Sequence, residues 1–108
     1  LTMISQLTVQ ALQQRLVAGE RLIIVDVREG WEFALCALPD SLHLPMALVP
    51  HRCEQLPRDS DIVVVCHHGV RSQMAAGMLR RNGFTRLYNL RGGIDAWARE
   101  IDPQMAVY

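Results

Sequence analysis

One stretch of the chain decides its fold: Val63-Val64-Val65-Cys66-His67-His68-Gly69-Val70-Arg71-Ser72. Three β-branched apolar residues end at a cysteine, and the five residues after it include a glycine and end in an arginine. β-Branched runs favour strands, and a helical pattern begins at about Ser72. The stretch therefore predicts a strand, a short loop and a helix. It places the thiol of Cys66 at the mouth of a loop whose backbone N–H groups can surround it.

A second apolar run, Leu22-Ile23-Ile24-Val25, shares one property with the run at 62–65. Neither run alternates polar with apolar residues, which is typical of strands buried on both faces of a parallel sheet. Shorter strands are predicted near 41–44 and 87–89. The sequence thus contains several candidates for neighbouring strands of one sheet.

Helical patterns lie between and around these strands. The first helix is predicted to begin after a Thr8 cap and to end at Gly19. Further helices are predicted around 46–55, from about 72 to 82, and after Gly92-Gly93. Strands that alternate with helices indicate an α/β fold with right-handed crossovers. We therefore expect residues 1–108 to form one domain, a small parallel sheet of about five strands with helices on both faces.

Polar side chains follow two of the predicted strands. Asp26 and Arg28 come after the run at 22–25, and Cys66 comes after the run at 62–65. Ligands of parallel α/β sheets bind at the carboxyl ends of the strands, so these residues are expected at one edge. Arg28 could bind an anionic donor there or form a structural ion pair with Asp26 or a nearby carboxylate. The ion pair is the favoured interpretation.

The order of residues after Cys66 favours a reactive thiol. A thiol attacks as its thiolate, and an ordinary cysteine is only slightly ionised at neutral pH. N–H groups of the loop and of the helix start favour the charged form, and Gly69 gives the backbone the freedom to bend. Arg71 adds a permanent charge and a planar set of donors. The alternative is an inert cysteine buried at a strand end.

Three motifs in order carry a resemblance to a known family. The first motif combines Asp26-Val27-Arg28 with Glu32-Phe33, Leu38-Pro39 and Leu44-Pro45; the second is Cys66 to Ser72; the third is Gly83-Phe84, Tyr88-Asn89-Leu90-Arg91-Gly92-Gly93-Ile94 and Trp97. On these motifs the chain resembles the rhodanese-like sulfurtransferases over nearly its whole length. One departure is Cys36-Ala37-Leu38-Pro39-Asp40-Ser41, which replaces the family's usual Gly-His-Ile-Pro-Gly-Ala.

The resemblance implies a function for the segment Cys66–Ser72, which we call the cysteine loop. Cys66 would take a sulfane sulfur from a small donor such as thiosulfate, hold it as a persulfide, and pass it to a thiol, cyanide or protein acceptor. The residues that would bind the substrate or the persulfide are those that follow it: His67, His68, Gly69, Val70, Arg71 and Ser72. The resemblance implies no metal and no organic cofactor.

The length of the cysteine loop separates two enzyme classes. Cys66 through Arg71 is six residues, the length that the resemblance associates with a sulfur atom. Related phosphatases and arsenate reductases use a loop one residue longer for a tetrahedral oxyanion. A phosphatase or arsenate reductase is therefore the alternative enzyme. A binding or regulatory module that has lost its cysteine is the other alternative, and it is disfavoured because Cys66, Gly69 and Arg71 are present.

The composition excludes several other classes. Eleven acidic and eleven basic side chains give a formal net charge of zero, so no broad field favours nucleic acid or a membrane surface. No apolar run approaches the length of a membrane span. All eleven basic side chains are arginines, which excludes a lysine Schiff base or a lysine general base. Whether the chain acts alone or as part of a larger fusion stays open.

The remaining cysteines, histidines and aromatic residues receive simpler interpretations. Three cysteines without framework spacing favour reduced thiols and a cytoplasmic location, and they disfavour a Cys36–Cys53 disulfide. Cys36 is expected to be inert. His67 and His68 could add charge, move a proton or simply face solvent, whereas a metal site with Cys66 is disfavoured because contiguous residues rarely converge on one ion. Core positions are predicted for Trp31, Phe33, Phe84 and Trp97.

Overall fold

The computed structural model describes residues 3–108, and its centre is a five-stranded parallel sheet. The strands, in chain order, are β1 Ser5–Leu7, β2 Leu22–Asp26, β3 Leu42–His43, β4 Asp61–Val65 and β5 Leu87–Leu90. Their order in the sheet is β1-β5-β4-β2-β3, and every neighbouring pair is parallel. The predicted fold class is confirmed. β1 was not predicted, because two of its three residues are exposed and it has no apolar run.

Residues 3–108 also form five α-helices, of which the first four lie between successive strands and the last follows β5: α1 Val9–Val17, α2 Gly30–Leu35, α3 Val49–Arg52, α4 Val70–Arg81 and α5 Gly93–Glu100. The helix predicted around 46–55 is instead α3 with a 3-10 turn on each side, at Met46–Leu48 and Cys53–Gln55. The backbone of Arg52, at φ −125° and ψ 0°, ends α3 after one turn. The sequence did not predict α2, because Glu32 is the one fully buried residue of this helix and there is no repeating apolar pattern to detect.

Two hydrophobic cores cover the two faces of the sheet. One core joins Ile62 and Val64 to residues of α3 and α4, and the other joins Val63 and Val65 to residues of α1 and α5. Alternate residues of β4 therefore face opposite cores, which explains why the run is apolar at every position. Helices lie on both faces, as the sequence predicts.

Several local predictions can be compared with the structure. Thr8 caps α1, since its hydroxyl accepts the N–H of Ala11 at 3.1 Å. Phe84 and Trp97 lie in the cores, as predicted, but Trp31 is 66% exposed, and its predicted core position is wrong. Phe33 is half-buried and stacks on the ring of His43. The three cysteines are free thiols. Among residues 3–108, none of the helices has the length and apolar character that crossing a membrane requires.

Candidate active site

The cysteine loop begins where β4 ends, at the carboxyl edge of the sheet. Asp26, the last residue of β2, pairs in register with Val65, the residue before Cys66. The N–H of Val27 donates to the carbonyl of Val65 at 3.0 Å and continues this pairing beyond the strand. Asp26, Arg28 and Cys66 therefore share one edge, and the convergence predicted from the sequence is confirmed.

The sulfur of Cys66 lies inside the loop, and the residue is 1% exposed. The N–H of Gly69 donates to Sγ at 3.0 Å, and the hydroxyl oxygen of Ser72 lies 3.2 Å from Sγ. Gly69 has φ +110°, a conformation that side chains disfavour, so a glycine is needed for this N–H to turn towards the sulfur. Residues 3–108 thus provide one backbone donor and one hydroxyl to the sulfur, fewer N–H groups than the sequence led us to expect.

Asn89 in β5 forms two hydrogen bonds with the cysteine loop. The hydroxyl of Ser72 donates to Asn89 Oδ1 at 2.5 Å, and Asn89 Nδ2 donates to the carbonyl of Gly69 at 3.1 Å. Because a hydroxyl has one proton, Ser72 can only accept from the thiol of Cys66 in this arrangement. A thiolate would instead favour rotation of that proton towards sulfur. Asn89 belongs to the third sequence motif, but no role at the site was predicted for it, although a polar residue in a buried strand was a usable signal.

The first turn of α5 binds the carbonyl groups of the loop. The N–H of Ile94 donates to the carbonyl of Cys66 at 2.9 Å, and the N–H of Asp95 donates to that of His67 at 3.1 Å. Gly93 lies directly against both carbonyls, with φ +61°, and a Cβ at this position would clash with them. These contacts direct two carbonyls of the loop towards α5 and away from the sulfur.

Arg71 forms a partly buried ion pair that the sequence did not predict. Its Nη1 and Nη2 donate to the two carboxylate oxygens of Glu32 at 2.7 and 2.8 Å. Glu32 is 3% exposed, and the hydrogen bonds from Arg71 lower its pKa to about 2. We had expected the planar donors of Arg71 to face a bound anion. In the structure Glu32 accepts one N–H from each terminal nitrogen, so this pair anchors the guanidinium and Arg71 gives the loop a fixed charge.

Arg28 forms the structural ion pair that the sequence favoured. Its Nε and Nη2 donate to the carboxylate of Asp26 at 2.9 and 2.7 Å, and both residues are buried. The other donors of Arg28 go to the carbonyl of Cys36 at 2.6 Å and to the hydroxyl of Tyr108 at 2.8 Å. Full burial removes Arg28 from the reach of a donor anion, so the alternative role in substrate binding is not supported.

The two histidines of the cysteine loop differ in their surroundings. The ring of His67 stacks on that of Tyr108, with centroids 3.8 Å apart and planes 3° from parallel. Burial, and then the neighbouring His68, lower the pKa of His67, so its ring is neutral at neutral pH. His68 faces solvent, with its Nδ1 3.9 Å from the carboxylate of Asp95. Donor atoms of His67, His68 and Asp95 lie within 4.8 Å of one another, a grouping that excludes Cys66.

The chain is similar to known proteins both in sequence and in fold. The chain matches the Rhodanese-like domain family over residues 8–100. A sulfurtransferase from Allochromatium vinosum is 42% identical over 104 residues, which cover 96% of this chain and 97% of the relative. The thiosulfate sulfurtransferase GlpE of Actinobacillus pleuropneumoniae is 30% identical, with 86% of each chain covered.

The solved structures agree with the sequence relatives. The crystal structure of a rhodanese-like domain protein from Staphylococcus aureus has a TM-score of 0.84 to this chain at 28% identity, and the similarity covers 97% of this chain and 99% of that one. The chain belongs to the rhodanese-like domain family. Its relatives are named sulfurtransferases, which supports a transferase within this family.

Proposed function

We propose that the protein is a sulfurtransferase in which Cys66 takes a sulfane sulfur from thiosulfate or a similar donor and holds it as a persulfide. Its acceptor would be a thiol, cyanide or a protein. The observation that carries the proposal is the position of Sγ, at the end of β4 and 3.0 Å from the N–H of Gly69. The name of the GlpE relative supports thiosulfate as the donor.

The proposed reaction has two displacements that balance without a cofactor. The thiolate of Cys66 attacks the outer sulfur of thiosulfate, the sulfur–sulfur bond of the donor breaks, and sulfite leaves with the bonding electron pair. The acceptor then attacks the outer sulfur of the persulfide. The bond between the two sulfurs of the persulfide breaks, the acceptor keeps the transferred sulfur, and Cys66 returns as a thiolate.

Three groups of the cysteine loop support this chemistry. The N–H of Gly69 is directed at the sulfur and favours an anion there. The hydroxyl of Ser72 can rotate from Asn89 towards the thiolate or the persulfide. Arg71 remains charged, because its contacts with Glu32 and its interaction with the charge of Cys66 raise its pKa. Sulfur transfer needs no general base if the thiolate is stabilised in this way.

The experiment that tests the proposal is intact mass spectrometry before and after incubation with thiosulfate. We expect the protein to gain the mass of one sulfur atom and to lose it on addition of cyanide or a thiol. Cys66→Ser is nearly isosteric and should gain nothing while remaining folded. Cys53→Ser, a change at a buried cysteine that is not part of the loop, is the matched control and should load normally if it folds. Loading of Cys66→Ser would contradict the mechanism.

A phosphatase or arsenate reductase remains the alternative enzyme, and the length of the loop argues against it. Cys66 through Arg71 is six residues, and the sulfur already lies in contact with Gly69 and Ser72. A tetrahedral oxyanion needs more donors and more room than this. We expect hydrolysis of aryl phosphates to be negligible beside transfer of sulfur from thiosulfate to cyanide; the reverse ratio would favour the alternative.

The three free thiols also fit a reducing compartment such as the cytoplasm.

A further inference from the structure

The C-terminal tail, residues 102–108, returns to the cysteine loop after α5. Its turn is fixed by two backbone hydrogen bonds, from the N–H of Asp102 to the carbonyl of Trp97 and from the N–H of Met105 to the carbonyl of Asp102. Met105 and Tyr108 pack against the core on the α1 and α5 face. The tail therefore adopts a defined path that ends beside the loop.

The hydroxyl of Tyr108 joins the two ion pairs at the edge of the sheet. It donates to Glu32 Oε2 at 2.7 Å, and it accepts from Arg28 Nη1 at 2.8 Å. Burial is the largest cause that raises the pKa of Tyr108, to about 12, so the group keeps its proton. The phenol hydroxyl therefore donates one hydrogen bond and accepts one, and both partners are charged side chains.

The ring of Tyr108 makes a separate contact with the loop. It lies parallel to the imidazole of His67 with centroids 3.8 Å apart, and it meets the edge of Trp31 at 5.8 Å. His67 is the second residue of the cysteine loop. The sixth residue, Arg71, is held by Glu32, which in turn accepts the hydroxyl of Tyr108. The side chain of Tyr108 thus contacts the loop directly at His67 and is linked to it at Arg71 through Glu32.

We propose that Tyr108 is a positioning residue for sulfur transfer, which holds the cysteine loop in shape through the ring of His67 and through the Glu32–Arg71 ion pair. This inference rests on the proposed function. The persulfide must be held in place while the acceptor attacks its outer sulfur. A more mobile loop would therefore lower the rate of sulfur transfer even though Cys66 itself is unchanged. Tyr108 does not need to touch the substrate for this effect.

The two contacts can be separated with two variants. Tyr108→Phe keeps the ring on His67 and removes the hydroxyl, whereas Tyr108→Ala removes both. Tyr88→Phe is the matched control, because Tyr88 is the other tyrosine of the chain and its ring packs on Arg15. Tyr88 pairs with Val63 in the middle of β4, and Arg15 binds Asp61, the first residue of that strand, so the contact that the control changes lies away from the end that carries Cys66.

The first measurements use the substrate-free protein. In Tyr108→Ala we expect the pKa of His67, followed by NMR, to rise towards its ordinary value, because burial is the largest cause of its lowering. The backbone of Tyr108, whose hydrogen bond raises the pKa of His67, is kept in this variant, and His68, Asp95 and Glu32 are unchanged. Amide exchange of Gly69 should become faster by about tenfold. Tyr108→Phe should leave the pKa of His67 at its wild-type value.

The second measurement is steady-state sulfur transfer. We expect kcat to fall by about tenfold in Tyr108→Ala and by about threefold in Tyr108→Phe, with KM for thiosulfate little changed, and no change in Tyr88→Phe. Wild-type kcat in Tyr108→Phe would overturn the role of the hydroxyl. An unchanged His67 titration and Gly69 exchange in a folded Tyr108→Ala would overturn the role of the ring. If the wild type does not load with sulfur, the proposed function fails, while NMR and exchange still decide whether Tyr108 holds the loop.

Discussion

The ion pair between Arg71 and Glu32 gives the most quantitative prediction. Glu32 is 3% exposed, and its pKa is about 2 in the folded protein instead of the ordinary 4.5. By linkage this difference corresponds to about 3 kcal/mol of stability. Because the side chain of Arg71 is 33% exposed, solvent screens part of the interaction. We therefore expect Glu32→Gln, which keeps the shape of the side chain, to lower the free energy of unfolding by about 2 kcal/mol at pH 7.

The dependence on pH has a definite direction. Above pH 4.5 Glu32 is ionised in both the folded and the unfolded chain, and the ion pair contributes fully. As the pH falls from 4.5 towards 2, the carboxylate of the unfolded chain takes up its proton first, and the contribution is lost. The stability difference between wild type and Glu32→Gln should therefore be largest above pH 4.5 and close to zero near pH 2.

Urea denaturation of both proteins at several pH values measures this difference directly. Glu54→Gln is the matched control, since Glu54 also pairs with an arginine, Arg58, but its side chain is 75% exposed. It should change stability little at any pH. A difference for Glu32→Gln that stays constant between pH 7 and pH 2.5 would refute the reasoning, because the effect would then not arise from the charge of Glu32.

Three further predictions concern the cysteine loop. Arg71→Ala should slow sulfur transfer and raise the pH at which Cys66 reacts with iodoacetamide, and Arg71→Lys should restore part of the rate and part of the reactivity. An unchanged dependence of alkylation on pH in Arg71→Ala would mean that Arg71 has only a structural role. Ser72→Ala should raise the same alkylation pH by about 0.5 to 1 pH unit, since the thiolate loses a donor; no shift would show that the Ser72 proton stays on Asn89. Gly93→Ala should destabilise the fold by about 2 kcal/mol or more in thermal or urea unfolding, because the new Cβ would clash with the loop. Gly19→Ala, at a position with a similar φ but nothing within 4 Å, should lose about 1 kcal/mol, and equal losses in the two variants would contradict the clash.

The sequence predicts the sheet and the cysteine better than it predicts their polar surroundings. β2 and β4 are continuous apolar runs because each face of the sheet has its own core, and this signal is local. The shared edge of Asp26, Arg28 and Cys66 follows from parallel topology alone. α2 was missed for the opposite reason, since a six-residue helix with one fully buried residue has no apolar period to detect.

The partners of the loop were missed for a different physical reason. Glu32 and Arg71 are 39 residues apart, and Glu32 and Tyr108 are 76 apart. Hydrophobic periodicity shows which face of an element is buried, but it does not show which polar side chains meet across two elements. The sequence predicts a charge on the loop at Arg71. Its anchoring by Glu32 depends on how α2 and α4 meet, and only the structure gives that.

The shape of the cysteine loop is determined largely by residues outside it. Asn89 fixes the hydroxyl of Ser72, α5 holds two carbonyls, and Glu32 holds Arg71. The same seven residues on another scaffold would lack these contacts, and the N–H of Gly69 would have no fixed direction. A cysteine loop therefore indicates sulfur chemistry only together with its supports. In this chain the supports come from β5, α2, α5 and the C-terminal tail, so substitutions at positions far from Cys66 in sequence should alter the proposed sulfur transfer without altering Cys66.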